Sequence, residues 1–252
     1  MVSSGLTERE REILRLLAED ANTSVAALAE RLGVSSVTVR SDLNNLAQKG
    51  MILRTRGGAT PAFHPNIIVR QNLMVEEKNR IAQAAAELVE DGDTIMIEAG
   101  TTTALVAKYL LGKRFVSIVT NSTLIIPFAR INPGIHLTVV GGEFRPATES
   151  LVGPVALAQL ERFHVRLAFV GTDGFSLGGG LTTHLVEGAE IVRKMSERSE
   201  ETVLVADSGK HGRVGFVQVL PVASVARLVT DAGLPDDAFG ALQDAGIAVA
   251  RV

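Results

Sequence analysis

Near the start of the chain, apolar residues recur at Ile13, Leu14, Leu16 and Leu17, the spacing of one helical face. Thr7 and Glu10 stand in front of them as a capping-box pair, so a first helix is predicted to end near Ala18. Thr23 or Ser24 caps a short second helix that carries Val25, Leu28, Ala29 and Leu32 and stops at Gly33. A third helix is predicted over 36–49, with Ser35 and Ser36 as cap candidates and Val39, Leu43 and Leu46 facing inward. After Gly50 the period changes. Residues 51–56 read as a strand, Gly57 and Gly58 as a turn, and 59–63 as a return strand.

From 60 to 75 the chain has Pro61, Pro65 and no sustained periodicity, which reads as a linker between a first domain, 1–59, and a second, 76–252. The second domain alternates. Helices are predicted over 76–89, 102–111, 122–130, 152–163, 187–199 and 236–244, and strands over 94–98, 116–120, 136–140, 167–170, 202–206, 228–230 and 247–252. Strands joined by helices of this length imply an α/β fold, a mostly parallel open sheet of Rossmann-like type with helices on its faces.

Composition narrows the classes. At 46% hydrophobic residues the chain has enough apolar surface for packed cores. With no cysteine there is no disulfide, thiolate nucleophile or cysteine-ligated metal, and a reducing cytoplasm is the expected home of a soluble, non-membrane protein. His64, His136, His164, His184 and His211 show no metal-ligand spacing, and no metal or cofactor is expected. The net charge of −3 hides a local excess: over 31–60, Arg31, Arg40, Lys49, Arg54 and Arg56 stand against Asp42 alone, five against one, or +4.

That excess falls where it changes the picture. The third helix presents Ser36, Thr38, Arg40, Ser41 and Asn44 outward, with Ser35 at its start, while the hairpin carries Arg54 and Arg56 two residues apart. A short second helix, a Gly turn, a polar third helix and a basic hairpin make a winged helix-turn-helix, whose expected partner is double-stranded operator DNA.

In an open parallel sheet, ligands bind beyond the carboxyl ends of the strands. Those ends are here rich in glycine and hydroxyls: Gly100, Thr101, Thr102 and Thr103; Asn121; Gly142; Asp173 and Gly174; and Lys210, with Glu187 opening a helix. Each stretch alone is equally a helix cap, a flexible loop or a solvated lysine. Together they suit an anionic polyol such as a sugar phosphate, with phosphate at 100–103 and Lys210 and hydroxyls toward Asn121, Asp173 and Glu187. The alternative is a sugar-phosphate isomerase using Asp173, Glu187 and Lys210 as base, acid and electrostatic stabiliser. A dinucleotide site is set aside, since no Gly-x-Gly-x-x-Gly follows the first strand.

Residues 10–59, with Thr38-Val39-Arg40, Asp42-Leu43, Lys49-Gly50, Arg54 and Arg56-Gly57-Gly58-Ala59, closely resemble the DNA-binding domain of DeoR-type bacterial regulators. Residues 76–233 resemble the sensor domain of the same regulators through Glu77-Lys78, Asp91-Gly92-Asp93-Thr94-Ile95, 99–103, Thr120-Asn121-Ser122, Gly141-Gly142, 171–174 and Asp207-Ser208 with Lys210. The resemblance implies a sensor fold similar to ribose phosphate isomerase, a phosphorylated sugar effector, a symmetric homo-oligomer (dimer or tetramer), and a repressor released by that effector. One departure is Gly209, where the family usually has a second serine.

Overall fold

The computed structural model describes residues 6–20 and 23–252, in two compact units: a smaller one whose main stretch ends at Leu73 and a larger one from Met74 onward. In the first, α1 (Glu8–Glu19) opens with the capping box: Glu10 N donates to Thr7 Oγ1 at 3.1 Å and Thr7 N to Glu10 Oε2 at 2.8 Å. It is followed by α2 (Val25–Leu32), α3 (Ser36–Gln48) and an antiparallel hairpin of β1 (Ile52–Thr55) and β2 (Gly58–Pro61). Their shared core holds Ile13, Leu14, Leu17, Leu28, Val39, Leu43, Leu46 and Ile52, all fully buried or nearly so.

The stretch that reads as a linker contains α4 (Pro65–Asn72), started by His64, whose Nδ1 accepts from Asn66 N, and by Pro65 at the first helical position. Ile68 joins the core of the first unit. Two turns with two buried apolar residues, Ile67 and Ile68, are too short to show a period.

The second unit runs α5 (Val75–Glu87), β3 (Thr94–Ile97), α6 (Thr103–Tyr109), β4 (Val116–Thr120), α7 (Ile126–Arg130), β5 (Ile135–Val139), β6 (Glu143–Arg145), β7 (Ser150–Val152), α8 (Pro154–Leu160), β8 (Val165–Val170), β9 (Gly174–Ser176), β10 (Gly180–Thr183), α9 (Val186–Glu197), β11 (Ser199–Val205), β12 (Val217–Leu220), β13 (Arg227–Thr230), α10 (Asp236–Asp244) and β14 (Ala248–Arg251). Seven strands form one sheet in the order β14-β13-β11-β8-β3-β4-β5, and every neighbouring pair is parallel. From β3 the chain winds outward through β4 to β5, then returns to β8 and winds the other way. The order therefore reverses between β3 and β8, the position at which open sheets of this kind form a ligand crevice.

Two expected helices are shorter than their patterns. Only α7 forms from 122–130, because Ser122 pairs with Ser150 as an antiparallel bridge and Leu151 N donates to Asn121 O. Only α8 forms from 152–163, because Val152 ends the β6–β7 hairpin and the chain turns at Gly153 into Pro154. The glycine-rich stretches at 171–174 and 178–183 are not free loops either: they supply β9 and β10 to a small antiparallel sheet, β12-β10-β9. Among the described residues no helix is long and apolar enough to cross a membrane.

Candidate functional site

Two surfaces carry the candidate residues. In the first unit α3 is set by its cap: Ser35 Oγ accepts from Thr38 N at 3.1 Å and lies 2.8 Å from Thr38 Oγ1. The hydroxyls of Ser35 and Thr38 are thus engaged with each other and with the helix end, and Ser36 is half-buried. Arg40, Ser41 and Asn44 are exposed, as are Arg54 in β1 and Arg56 in the turn that follows it. Arg40, Arg54 and Arg56 form no ion pair among the described residues.

Two salt bridges hold α3 against α1. Arg9 donates to both oxygens of Asp42, Nε at 2.6 Å and Nη2 at 3.1 Å. Lys49 Nζ reaches both oxygens of Glu10 at 2.9 Å, so the capping glutamate also anchors the far end of α3. Lys49, one of the five cations in the local count, is therefore spent inside the unit, and Asp42 is neutralised by a residue outside the counted window. The outward cations are Arg31, Arg40, Arg54 and Arg56. Val37, which an apolar/polar pattern assigns to no surface role, projects outward from the first turn of α3 and is 75% exposed.

In the second unit the candidate residues lie at the carboxyl edge of the sheet, but they do not all face one crevice. Thr103 is fully buried and its Oγ1 donates to Gly100 O at 3.1 Å. Asn121 is 1% exposed; its Oδ1 accepts from Ala99 N at 2.9 Å and its Nδ2 donates to Leu151 O at 3.2 Å. Both brace the loop after β3. Gly174 is likewise a packing residue, since a Cβ there would lie 2.1 Å from Arg213 O. Gly142 follows β5, four strands from β11. At about 4.8 Å per strand that is roughly 19 Å, too far for one small effector to touch both Gly142 and Lys210.

The loop after β3 stands beside the end of β8, where the strand order reverses. The loop Gly100, Thr101, Thr102 leads from β3 into α6, and the backbone N–H groups of these three residues donate to nothing among the described residues. Against it lies a group missed in the sequence: Lys78 of α5 is only 5% exposed, and its Nζ stands 3.4 Å from Thr101 Oγ1. Glu98, at the end of β3, ties the two central strands together, its N donating to Phe169 O at 2.9 Å and its Oε2 accepting from Gly171 N at 3.2 Å. The only sequence signal for Lys78 was its place in the DeoR-like stretch, because in a helical pattern a lysine reads as a solvated residue.

Asp173 Oδ2 accepts from Thr183 Oγ1 at 2.9 Å and His184 N at 3.0 Å. Glu187, in the first turn of α9, is paired with Arg145 of β6 at 2.9 Å. Its own backbone N–H, and then Arg145, hold its carboxyl below the usual range. Lys210 closes a single 3₁₀ turn after β11, at 208–210. The turn is fixed from β13: Asp231 accepts from Ser208 N at 2.7 Å, from Ser208 Oγ at 2.8 Å and from Gly233 N at 2.9 Å. A Cβ at Gly209 would stand 3.0 Å from Asp207 Oδ1, so the serine usual in the resembling proteins would press on a buried carboxyl here. Among the described residues no cluster of three His, Asp or Glu could hold a metal ion.

Comparison with known proteins places these two surfaces in a common frame. The DeoR-like helix-turn-helix domain matches residues 9–62, and the DeoR C terminal sensor domain matches residues 73–232. The chain is 30% identical over 255 residues to a putative aga operon transcriptional repressor of Escherichia coli O157:H7, covering 99% of this chain and 95% of that one. It is 31% identical over 241 residues to the glycerol-3-phosphate regulon repressor of Escherichia coli (strain K12), covering 94% and 96%. A ribose 5-phosphate isomerase A from Methanocaldococcus jannaschii aligns over 54% of each chain at 19% identity and a TM-score of 0.39, a likeness too faint to carry an argument. The two domain matches, end to end over the winged helix-turn-helix and the parallel-sheet unit, make the chain a DNA-binding transcriptional regulator of the DeoR family.

Proposed function

We propose that this regulator represses an operon of sugar metabolism and is released from its operator by a phosphorylated sugar bound in the β3–β8 crevice. The observation that carries the reading is the meeting of three unpartnered backbone N–H groups, at Gly100, Thr101 and Thr102, with the ammonium of Lys78 beside Thr101. Neighbouring unpartnered N–H donors with a cation suit a phosphate, because an anion can be stabilised by charge and by several hydrogen bonds at once. Lys210, on the turn after β11 two strands from β3, is proposed to reach the phosphate from that side. Thr101 and Thr102 offer hydroxyls to the phosphate, and Glu98, Asp173 and Glu187 offer carboxylates to the hydroxyls of a polyol. Among the relatives above, the glycerol-3-phosphate regulon repressor is named for a polyol phosphate, which agrees with a signal of that class.

The crevice is read as a sensor and not as a catalyst. The carboxylate of Asp173 accepts two hydrogen bonds from its own loop, and Glu187 is held ionised beside Arg145, so neither stands as a free proton carrier. On the DNA side Arg40, Ser41 and Asn44 of α3 are proposed to enter the major groove, with Arg54 and Arg56 of the hairpin on the backbone. Because one winged helix covers little DNA, the active form is proposed to be a symmetric oligomer on repeated half-sites.

A thermal-shift screen of phosphorylated sugars against their unphosphorylated parents tests the effector class, since a ligand of the folded state raises the unfolding temperature by mass action. The hit must also lower operator affinity in a gel-shift titration. A panel in which parents and phosphates act alike would refute the phosphate site. Turnover of ribose 5-phosphate to ribulose 5-phosphate would replace the sensor with an enzyme, and light scattering that finds only monomer on DNA would remove the oligomer.

A further inference from the structure

We infer that Val37 is a specificity residue that reads the C5-methyl group of a thymine in the major groove. The inference rests on the proposed role of α3 as the recognition helix and adds an apolar contact to its polar ones, through the exposed large hydrophobic of that helix. At about 100° per residue, Val37, Ser41, Asn44 and Gln48 fall on one line down α3, opposite the fully buried Val39, Leu43 and Leu46. All four of the outward residues are exposed. Val37 is the first of them and sits in the N-terminal turn, the part of a recognition helix that reaches deepest toward base edges.

The polar groups beside it are less available. Ser35 and Thr38 share a hydrogen bond and the Ser35 hydroxyl caps the helix, while Ser36 is half-buried. The most exposed apolar group of the first turn is therefore the pair of Val37 methyls. Single exposed valines are ordinary on protein surfaces; this one differs in its place, on the midline of a face otherwise made of hydrogen-bonding groups and flanked by the unpaired Arg40. Local structure does not favour it, since a β-branched residue is a weaker helix former than alanine or lysine at an exposed site. Packing does not explain it, because Val37 is outside the core cluster of its unit. Its stiff χ1 fixes the two methyls in space at little entropic cost. Thymine is the base that presents a methyl in the major groove, so it is the partner this chemistry selects.

The test begins with selection of binding sequences from a random duplex library by the full-length protein, followed by replacement of each thymine of the selected site with deoxyuridine, which deletes only the methyl. The expected result is one thymine per half-site whose replacement weakens binding by about three- to fivefold, the worth of one buried methyl. Val37→Ala should lose a similar factor on the thymine site and become indifferent to that replacement. Val37→Thr, which keeps the β-branch and one methyl, should lie between. Both variants are at an exposed position, so circular dichroism should report an unchanged fold. Variants that bind like the parent and keep its full response to every replacement overturn the inference while leaving DNA recognition by α3 intact. Failure of the parent to select any sequence removes that recognition and the inference with it.

Discussion

Lys78 Nζ stands 3.4 Å from Thr101 Oγ1, bringing a nearly buried ammonium from α5 to the loop that follows β3. A lysine in that position is costly unless something negative or strongly polar faces it. The loop supplies a hydroxyl at this lysine, and a phosphate held by the loop's N–H groups would add a further negative neighbour.

Lys78→Met keeps most of the apolar stem and removes the charge. If a phosphate binds here, the variant loses a charge-assisted hydrogen bond of about 1.5–3 kcal/mol, or roughly 10- to 150-fold in effector Kd. Lys210→Ala should lose less, because that lysine is only half-buried on a short turn. Operator affinity measured without effector should stay near the parent value for both, and the effector should no longer dislodge either variant at concentrations that release the parent. Calorimetry with the sugar phosphate found by screening, paired with operator titration, checks both halves. A Lys78→Met protein that binds effector like the parent would confine the lysine to a structural role.

The arginines of the first unit should separate by function. Arg40 lies on the outer face of α3, where a bidentate contact with guanine is worth about 1–3 kcal/mol, so Arg40→Ala should weaken binding and relax base preference at one operator position. Arg54 lies on the hairpin, and Arg54→Ala should weaken binding to all sequences alike and lower the slope of log affinity against log salt by about one. Gel-shift titrations at several salt concentrations distinguish the two effects.

Lys49 should behave unlike either arginine, because it is held by both oxygens of Glu10, a carboxylate only 2% exposed. Lys49→Met leaves that carboxylate with its cap hydrogen bond alone and should cost roughly 1–3 kcal/mol of stability. Its effect on the salt slope of DNA binding should be near zero. A changed slope with unchanged thermal unfolding would return Lys49 to the DNA face.

How much of this was legible in the sequence follows from the range of the interactions. The Thr7–Glu10 capping box, the Gly33 turn and the Ser35 cap are contacts within four residues, and each appears where the sequence predicts it. The parallel sheet was legible because strands and helices alternate with a clear change of period. The β6–β7 hairpin and the β12-β10-β9 sheet were not, since three- and four-residue strands rich in glycine look like loops until a partner strand is known. Within the site, polarity alone could not separate Thr101 and Thr102 from Thr103 and Asn121. The last two satisfy backbone groups contributed by residues up to 30 positions away. Lys78 was hidden for the opposite reason: the role proposed for it depends on its burial, which a helical pattern with charged neighbours conceals.

The base of the sheet carries a pH dependence that is independent of any ligand. Arg166 of β8 donates to both oxygens of Asp93, with Nε at 2.8 Å from Oδ1, and to Leu88 O at 2.7 Å. The Arg166 hydrogen bonds hold the Asp93 carboxyl below its ordinary range against the opposing effect of burial, and Glu90 N adds a further donor at 2.7 Å. A carboxyl whose pKa is depressed in the folded state contributes stability that is present above the unfolded value, about 3.9, and is lost as pH falls through the folded value. Stability should therefore be flat in this contribution near neutrality and fall below about pH 4. Arg166→Met should cost roughly 1–3 kcal/mol at pH 7 by leaving Asp93 without its main donor, and the deficit should shrink as Asp93 is protonated in acid. Thermal unfolding of parent and variant at pH 7, 5 and 3.5 checks the sign: curves that stay equally far apart at every pH would mean that the pair contributes through packing of the arginine stem and not through charge.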